Sequence, residues 1–399
     1  MKTVYVLGGM LAGAAWLAAQ PVSAAIFNGT LGLKADPAQV TASRYKAVKV
    51  ASPAIKPTTV VQGLNRPWSL AFLPKGGYLV TERGGQLNYA PDFATKPVRV
   101  GGLPKDIEVS GQSGLFEIAL APDFERSREV FVSYGAETAK GNVLKVVRAV
   151  LDVRAAKPAL QDVKVVFTSV DPVKDDKNLG GKLMFMADGT LLVTVGDFFE
   201  QDESQNLGNH LGKVIRINRD GSVPTTNPLV GQAGVRTEIY SYGNRNVQGI
   251  AVRPGTREVW MHEHGPKGGD EVNILKPGAN YGWSLATYGV DYSGLTITSR
   301  TTVSGTVDPL VHWTPSIAPS GLAFYTGTAV PQWRTDAFVG ALAGKQLRRL
   351  DLEQGKIVGE EILLKDMGAR IRDVRMGPDG HLYIVTDERE GKIMRLDTL

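Results

Sequence analysis

The amino-acid sequence predicts an all-β protein, a six-bladed β-propeller, from a repeated pattern and the absence of a competing one. One form recurs along the chain: an apolar strand, a turn built on Gly, Pro or Asp, and a second strand. It recurs at roughly 50 to 70 residues, as expected for propeller blades with long insertions. Almost no long amphipathic helical pattern competes with it. The repeats are 68–82, 115–124, 182–197, 248–260, 321–325 with 337–341, and 373–386.

The first strand of each repeat is predicted to be apolar on both faces. Such strands suit sheets that pack against their neighbours around an axis and leave no long free edge. A β-sandwich is the alternative architecture, but regular recurrence of one hairpin form favours radial repetition. Loops at one end of a propeller's channel converge, so motifs distant in sequence can form one site.

The N-terminus has the features of an export signal. Lys2 precedes an apolar run from Val4 to Ala19, and a small-residue cleavage site ends at Ala24. A membrane anchor would need about 20 uninterrupted apolar residues, which Gln20 and Pro21 prevent. We therefore predict a signal peptide at 1–24, a periplasmic or secreted protein, and no membrane span in the mature chain. Residues 25–57 are interpreted as a leader or strap over the first blade, and 58–399 as the propeller.

Composition excludes several classes of function. The chain has no cysteine, so it has no disulfide, thiolate metal site or cysteine nucleophile. Its formal net charge of +5 is modest for 399 residues, and no run of Lys and Arg alternates with aromatic residues. Nucleic-acid binding is therefore not expected. A mild positive bias can help to capture an anionic small molecule.

The segment 263–283 is rich in Gly and Pro and is predicted to form loops rather than a helix. Such residues let the backbone turn sharply and aim its carbonyl oxygens at one point, while Asp270 and Glu271 add two carboxylates. This ligand set suits calcium better than magnesium, which keeps waters and a strict octahedral geometry. The alternative is a surface loop with a capped acidic pair.

Arginines and amides occur near the starts of several repeats. Arg245 and Asn246 precede the fourth repeat, and Arg370 and Arg372 lie two apart on one face of a strand. A guanidinium group is a planar donor suited to carboxylates. A salt-bridged strand edge is the alternative interpretation of the Arg370 and Arg372 pair. Gln112, between glycines in 111–114, is by itself typical of a turn.

Three motifs resemble one known family: Glu263-His-Gly-Pro, Gly269-Asp-Glu-Val-Asn and Asn280-Tyr-Gly-Trp. They are similar to the calcium and quinone site of the soluble pyrroloquinoline quinone (PQQ) dependent aldose dehydrogenases, the glucose/sorbosone dehydrogenase family. The resemblance covers nearly all of the chain after about residue 58. It implies a six-bladed propeller that uses PQQ and calcium to oxidise an aldose sugar or related alcohol. Electrons would pass to an external acceptor.

The resemblance also implies roles for individual residues. The quinone would be held by Gln112, Arg245, Asn246, Arg370 and Arg372. A calcium ion against the quinone would take the main-chain carbonyls of Gly265 and Pro266 as ligands. A second, structural calcium site would involve Asp270, Glu271 and Tyr281.

The chain departs from the family at the position of the catalytic base. Asn178 stands where the family has a histidine, and Asp197, which would orient that histidine, could be left with nothing to orient. A neutral amide cannot accept a proton near pH 7. Val247 also replaces a usual proline, and Ala343 stands where a quinone-contacting lysine is expected, with Lys345 displaced by two residues.

Three hypotheses remain open for this departure. In the first, a carboxylate replaces the base, and the candidates are Asp175, Asp176, Asp197 and Glu200. Alternatively His210 reaches the site, although it is more consistent with a structural residue before the strand 213–217. In the third, the protein binds quinone, ion or sugar without turnover. Loss of a general base typically costs about 10²–10⁴-fold in rate, so we expect altered dehydrogenase activity. A non-catalytic binding propeller and a metal-dependent lactonase are the rival functions.

Overall fold

The computed structural model describes residues 46–154, 157–170 and 172–399. The predicted signal peptide and residues 25–45 of the predicted leader lie outside these ranges. The described part is nearly all strand. Its helices are α1 (Phe124–Ser127) and three short 3-10 helices at Gln201–Gln205, Pro331–Trp333 and Lys365–Met367. None of the helices in these ranges is long and apolar enough to cross a membrane.

The strands form six small sheets. The chain begins with β1 (Lys46–Ala47) and β2 (Ile55–Leu64). Blade 1 consists of β3 (Pro67–Phe72), β4 (Tyr78–Glu82), β5 (Gln86–Ala90) and β6 (Val98–Arg99). Blade 2 consists of β7 (Leu115–Leu120), β8 (Glu129–Thr138), β9 (Gly141–Asp152) and β10 (Ala159–Thr168). Blade 3 consists of β11 (Gly180–Phe185), β12 (Leu191–Val195), β13 (Lys213–Ile217) and β14 (Ile239–Tyr242).

The remaining sheets follow the same order. Blade 4 consists of β15 (Val247–Val252), β16 (Val259–Glu263), β17 (Asp270–Leu275) and β18 (Val311–Trp313). Blade 5 consists of β19 (Pro319–Phe324), β20 (Ala337–Ala341), β21 (Gln346–Glu353) and β22 (Lys356–Leu363), with β1 parallel to β22 at its edge. Blade 6 consists of β23 (Ile371–Met376), β24 (Leu382–Thr386) and β25 (Gly391–Thr398), with β2 antiparallel to β25.

The sheets close into a ring. The first strands contact one another in sequence, from β3 through β7, β11, β15, β19 and β23, and β23 contacts β3 again. Pairing of β2 with β25 joins the beginning of the described chain to its end within one sheet. Each predicted repeat lies in a different blade, so the predicted six-bladed β-propeller is confirmed. Strand β2 begins at Ile55, inside the segment interpreted as a leader, and β1 lies on blade 5.

Apolar side chains fill the spaces between adjacent blades. Trp260 of blade 4 is completely buried, and its ring packs edge-on against Phe324 of blade 5 with centroids 5.5 Å apart. Burying one such side chain contributes about 1.5–3 kcal/mol to folding. Packing of this kind holds the blades in register around the channel.

The first strands are not apolar on both faces, contrary to the sequence-based expectation. Their third residues face the channel, where Glu117, Lys182 and Asp373 form a buried ionic network with Arg375. Lys182 Nζ lies 2.8 Å from Glu117 Oε2 and 3.5 Å from Asp373 Oδ1. These charges can be buried at the axis because each has an oppositely charged partner.

Candidate active site

One end of the channel is formed by residues that occupy equivalent positions in the blades. The residues immediately before the first strands are Arg66, Gly114, Leu179, Asn246, Ala318 and Arg370. Because these strands all begin at the same end of the ring, five of these residues, all but Gly114, line one cavity of about 320 Å³, the central pocket. Its polar wall includes Arg66, Arg83, Gln112, Asn246, Arg370 and Arg372.

Arg372 lies at the wall of the central pocket with its side chain almost wholly buried. Its Nη2 donates to Gln248 Oε1 at 2.6 Å, and its guanidinium carbon lies 4.9 Å from the centroid of the Trp68 ring. Its Nε is buried and has no hydrogen-bond partner. Burial lowers the pKa of the guanidinium from its ordinary value. A buried donor without a partner in a pocket of arginines suits an anionic ligand.

The other predicted quinone contacts fall into two groups. Arg370 lines the central pocket and pairs with Asp387, with 2.9 Å between Nη2 and Oδ2. Gln112 and Asn246 line the same pocket. Arg245 instead lines an adjoining cavity, and its Nη1 donates to Gly265 O at 3.0 Å. The structure therefore brings four of the five predicted residues to one pocket and places the fifth beside it.

The adjoining cavity has a volume of about 430 Å³. Its wall combines aromatic and acidic side chains, and we call it the acidic cleft: Asp197, Phe199, Glu200, Asp202, Glu203, Asp291, Trp283, Tyr292, Arg245 and Pro266 line it. Tyr292 also lines the central pocket, so the two cavities adjoin. The Arg245 guanidinium carbon lies 5.4 to 5.7 Å from the centroids of three of these rings.

Asn178 and Asp197 form a buried pair between these cavities. Asn178 Nδ2 donates to Asp197 Oδ1 at 2.9 Å, and Trp283 Nε1 donates to Asp197 Oδ2 at 2.9 Å. The backbone N–H of Asn178 donates to Gln112 Oε1 at 3.0 Å. Burial raises the pKa of Asp197 above its ordinary value. Asp197 thus orients the Asn178 amide, so the expectation that it would have nothing to orient is wrong.

Backbone conformation helps to explain how an asparagine occupies this position. The φ angle of Asn178 is +52°, in the left-handed region that asparagine tolerates better than most side chains. This conformation aims both the amide and the backbone N–H inward. The side chain is only 3% exposed.

The other candidate bases are placed less favourably. Asp175 pairs with Lys177 at 3.1 Å. Asp176 packs against Gly111, where an added Cβ would lie 2.2 Å from its Oδ1. Glu200 does line the acidic cleft. His210 is structural, as preferred from the sequence: its Nδ1 accepts from the Val170 N–H, and its Nε2 lies 2.7 Å from a Glu238 carboxylate oxygen.

His264 lines the central pocket and was not singled out as a site residue. Its Nε2 donates to Pro319 O at 2.6 Å. Burial, reinforced by the charge of Arg372, lowers the pKa of His264 to about 3. The imidazole therefore stays neutral at pH 7 and is a weak base, which disfavours it as a replacement for the histidine expected at position 178.

The predicted metal ligands lie in different environments. Asp270 lies where β17 begins, and its carboxylate accepts hydrogen bonds from four donors at 2.7 to 3.0 Å: Gly265 N, Ser316 Oγ, Ile317 N and Ala318 N. Burial raises the pKa of Asp270 to about 7. The carbonyl of Gly265 accepts from Arg245, and Pro266 lines the acidic cleft.

Glu271 and Tyr281 line a separate small cavity of about 10 Å³ together with Glu263. Glu263 lies directly opposite Glu271 in the β16–β17 register. Burial raises the pKa of Glu263 to about 7, and burial together with the charge of Glu263 raises the pKa of Glu271 well above its ordinary value. Like charges opposite each other on two strands are destabilising, so this pair suits a bound cation.

The Tyr281 hydroxyl is occupied, because it donates to Ile274 O at 2.7 Å and accepts from Lys276 N at 2.8 Å. Within the described ranges no group of three or more His, Cys, Asp or Glu side chains could hold a metal ion. A cation between Glu263 and Glu271 would therefore also need main-chain carbonyl ligands.

Sequence reasoning missed several residues that the structure places at the site. Arg66 occupies the same position before its first strand as Asn246 and Arg370 do before theirs, so the aligned repeats could have found it. Trp68 and Gln248 share the second strand position with Arg372. Glu263 and Arg83 carried a weaker signal: Glu263 ends the second strand of blade 4, and Arg83 directly follows the second strand of blade 1. Lys345 is exposed, whereas Leu342 lines the central pocket.

Comparisons with known proteins agree with this architecture. The family model described as Glucose / Sorbosone dehydrogenase matches residues 64–395. Aldose sugar dehydrogenase YliI of Escherichia coli (strain K12) is 38% identical over 353 residues, which cover 87% of this chain and 94% of the relative.

Two solved structures are similar over most of their length. A crystal structure of a glucose dehydrogenase has a TM-score of 0.83 and 43% identity, and covers 87% of this chain and 100% of its own. The PQQ-bound form of an aldose sugar dehydrogenase (Adh) from Streptomyces coelicolor has a TM-score of 0.72 and 29% identity, with coverage of 88% and 100%. From the match over 64–395, the chain belongs to the glucose/sorbosone dehydrogenase family.

Proposed function

We propose that this protein is a PQQ- and calcium-dependent dehydrogenase that oxidises an aldose sugar or related alcohol and passes the electrons to an external acceptor. The names of its relatives support this activity, since one is an aldose sugar dehydrogenase and another was solved with PQQ bound. The observation that carries the proposal is the central pocket, where arginines converge and the buried Nε of Arg372 lacks a partner.

The residues of the central pocket fit PQQ, a planar tricarboxylate. Arg66, Arg83 and Arg372 offer guanidinium donors to carboxylates, while Gln112 and Asn246 offer amides. Arg370 forms an ion pair with Asp387, and its guanidinium group can still donate a further hydrogen bond to the quinone. When bound, the quinone supplies the two-electron acceptor that no side chain can supply.

Calcium fits two places in this proposal. The carbonyls of Gly265 and Pro266 are offered to an ion beside the central pocket, and Arg245, which now donates to Gly265 O, would have to give up that bond. Glu271, Glu263 and Tyr281 surround the second place. Asp270 would have to exchange its present hydrogen bonds to become a ligand there.

The acidic cleft suits the sugar. Its aromatic rings can cover the apolar faces of a pyranose, and its carboxylates can accept hydrogen bonds from hydroxyl groups. Asp197 is the best placed replacement base, because it lines this cleft and its raised pKa makes its carboxylate a stronger proton acceptor. Asn178 would hold Asp197 Oδ1 through its amide while the proton of the sugar hydroxyl moves to Asp197.

The test is reconstitution of the purified mature protein with calcium chloride and PQQ. Quinone binding is measured by absorbance, and turnover by dye reduction with a panel of aldoses. Turnover that requires both additions supports the proposal. Quinone binding without turnover would identify the rival non-catalytic binding propeller, which the presence of Asn178 favours. Absence of quinone binding by the folded protein would contradict both.

We also propose that the protein is exported, because Lys2, the apolar run and the site ending at Ala24 have the order of a cleaved signal peptide. Mass spectrometry of the protein from the periplasmic and medium fractions tests this. A mature chain beginning at Ala25 is expected, and an intact Met1 in the cytosolic fraction would contradict it.

A further inference from the structure

A third cavity opens beside the central pocket. It is an open cleft of about 460 Å³, and we call it the arginine cleft: Asn65, Arg66, Arg83, Gly84, Val109 and Arg389 line it. Arg66 and Arg83 line the central pocket as well, so these two side chains form a shared wall. Arg389 lines the arginine cleft but not the central pocket.

The guanidinium groups of this cleft have no carboxylate in direct contact, although Asp387 and Asp176 act on Arg83 at longer range. Arg83 Nη1 donates to Gly111 O at 2.6 Å. In the part of the chain that the structure describes, Arg66, Arg83 and Arg389 have no carboxylate within 4.0 Å. The nearby Asp387 already pairs with Arg370. Burial, followed by repulsion from Arg66, lowers the pKa of Arg83. Guanidinium groups without a carboxylate in contact favour a bound anion. When PQQ is held by Arg66 and Arg83 in the central pocket, Arg389 is the guanidinium group that the arginine cleft keeps for another anion.

The two clefts that flank the central pocket therefore differ in charge. The acidic cleft carries Asp197, Glu200, Asp202, Glu203 and Asp291 with only Arg245 opposite them. The arginine cleft has no acidic side chain in its lining. The carboxylates of the acidic cleft repel an anion that approaches the central pocket, whereas the guanidinium groups of the arginine cleft attract it.

We propose that the arginine cleft binds a small anionic electron acceptor, with Arg389 as a specificity residue that contacts it apart from the quinone pocket. This inference rests on the proposed dehydrogenase function. One aldose loses its anomeric C–H and O–H hydrogens and gains a C=O bond, releasing two electrons and two protons. Two molecules of a one-electron acceptor such as ferricyanide take the electrons and become ferrocyanide, and the two protons go to water.

Binding can be measured without turnover by using ferrocyanide, which cannot accept another electron. Isothermal titration of ferrocyanide into protein loaded with calcium and PQQ is compared for the wild type, Arg389→Gln and Arg257→Gln. Arg257 is the matched control, since it is exposed on the turn at the other end of β15 and its replacement changes the net charge equally. Arg389→Gln should weaken ferrocyanide binding about threefold or more. PQQ affinity should not change in either variant.

Kinetics supply an independent readout in the active enzyme. Arg389→Gln should raise the KM for ferricyanide about threefold or more at low ionic strength. The KM for phenazine methosulfate, a cationic acceptor, should not rise, and neither should the KM for the sugar.

Four results would overturn the inference. The first three are equal ferrocyanide affinity in the wild type and Arg389→Gln, displacement of ferrocyanide from apo-protein by PQQ, and equal effects of Arg389→Gln on both acceptors. The fourth is a rise only in the KM of a sugar acid, because the anion would then be the substrate. If no sugar is oxidised, the proposed function fails, but the ferrocyanide titration still decides whether the anion site exists.

Discussion

The side-chain amide of Asn178 donates a 2.9 Å hydrogen bond to Asp197 Oδ1, where the family is expected to have a histidine held by the same aspartate. Asp197 therefore orients a side chain that cannot take a proton. In the proposed dehydrogenase, Asp197 would both support Asn178 and accept the proton of the sugar hydroxyl.

Restoring the histidine should increase activity. In Asn178→His, Asp197 is already placed to orient an imidazole, so we expect the dehydrogenase rate to rise about tenfold or more. The measurement is kcat with saturating quinone and calcium. An unchanged or lower rate in a folded, quinone-loaded variant would argue against the missing-base explanation.

The pH profile should report on Asp197. Its pKa is raised, so in the wild type kcat/KM should fall as the pH decreases through a value above 3.8, where the carboxylate becomes protonated and can no longer accept a proton. Asp197→Asn should lower kcat by about 10²–10⁴-fold and remove that acidic limb. Survival of the limb in Asp197→Asn would assign the base to another group, with Glu200 as the next candidate.

Quinone affinity should depend on Arg372. Arg372→Gln removes a guanidinium group that lines the central pocket and has an unpartnered donor. A charge-assisted hydrogen bond contributes about 1.5–3 kcal/mol. We expect the Kd for PQQ, measured by absorbance, to increase about tenfold to a hundredfold. Arg257→Gln serves as the control for net charge, and equal affinities in the two variants would contradict the assignment of the pocket.

The ionic network beneath the pocket should contribute to stability. Lys182→Met leaves Glu117 and Asp373 buried with Arg375 as their remaining cation. Removing one partner from a buried pair costs about 3–5 kcal/mol. Chemical denaturation should show a loss of this size, whereas Arg257→Gln should change the free energy of unfolding by less than about 0.5 kcal/mol. A loss below about 1 kcal/mol for Lys182→Met would mean that water screens the network.

Calcium should stabilise the protein through Glu271. In the wild type, calcium in excess of its Kd should raise the melting temperature, because an ion that binds only the folded state stabilises it. Glu271→Gln should reduce this increase, because only the calcium place at Gly265 and Pro266 would remain. In the presence of a chelator the variant should melt at the same or a higher temperature than the wild type, since its repulsion with Glu263 is gone. A full calcium response in Glu271→Gln would place the ion elsewhere.

Much of the fold followed from local sequence. Alternating apolar strands and Gly, Pro or Asp turns occur in each blade, because strand periodicity and turn chemistry depend on neighbouring residues. The predicted quinone contacts Gln112, Asn246, Arg370 and Arg372 lie on one pocket for the same reason: each occupies a fixed place near the start of a first strand. Ring closure then brings these places together.

Only the tertiary structure decided which partners and which cavity each candidate site residue has. It showed that Asp270 has its oxygens occupied by main-chain and hydroxyl donors, that Glu263 faces Glu271, and that Arg245 lies in the acidic cleft. It also added Arg66, Arg83 and Arg389, which are far apart in sequence. Hydrogen-bond partners, burial and charge compensation depend on contacts between blades, and no local pattern encodes them. The sequence by itself therefore determined the blades and the residues at their ends, and the closed ring determined which of those residues meet.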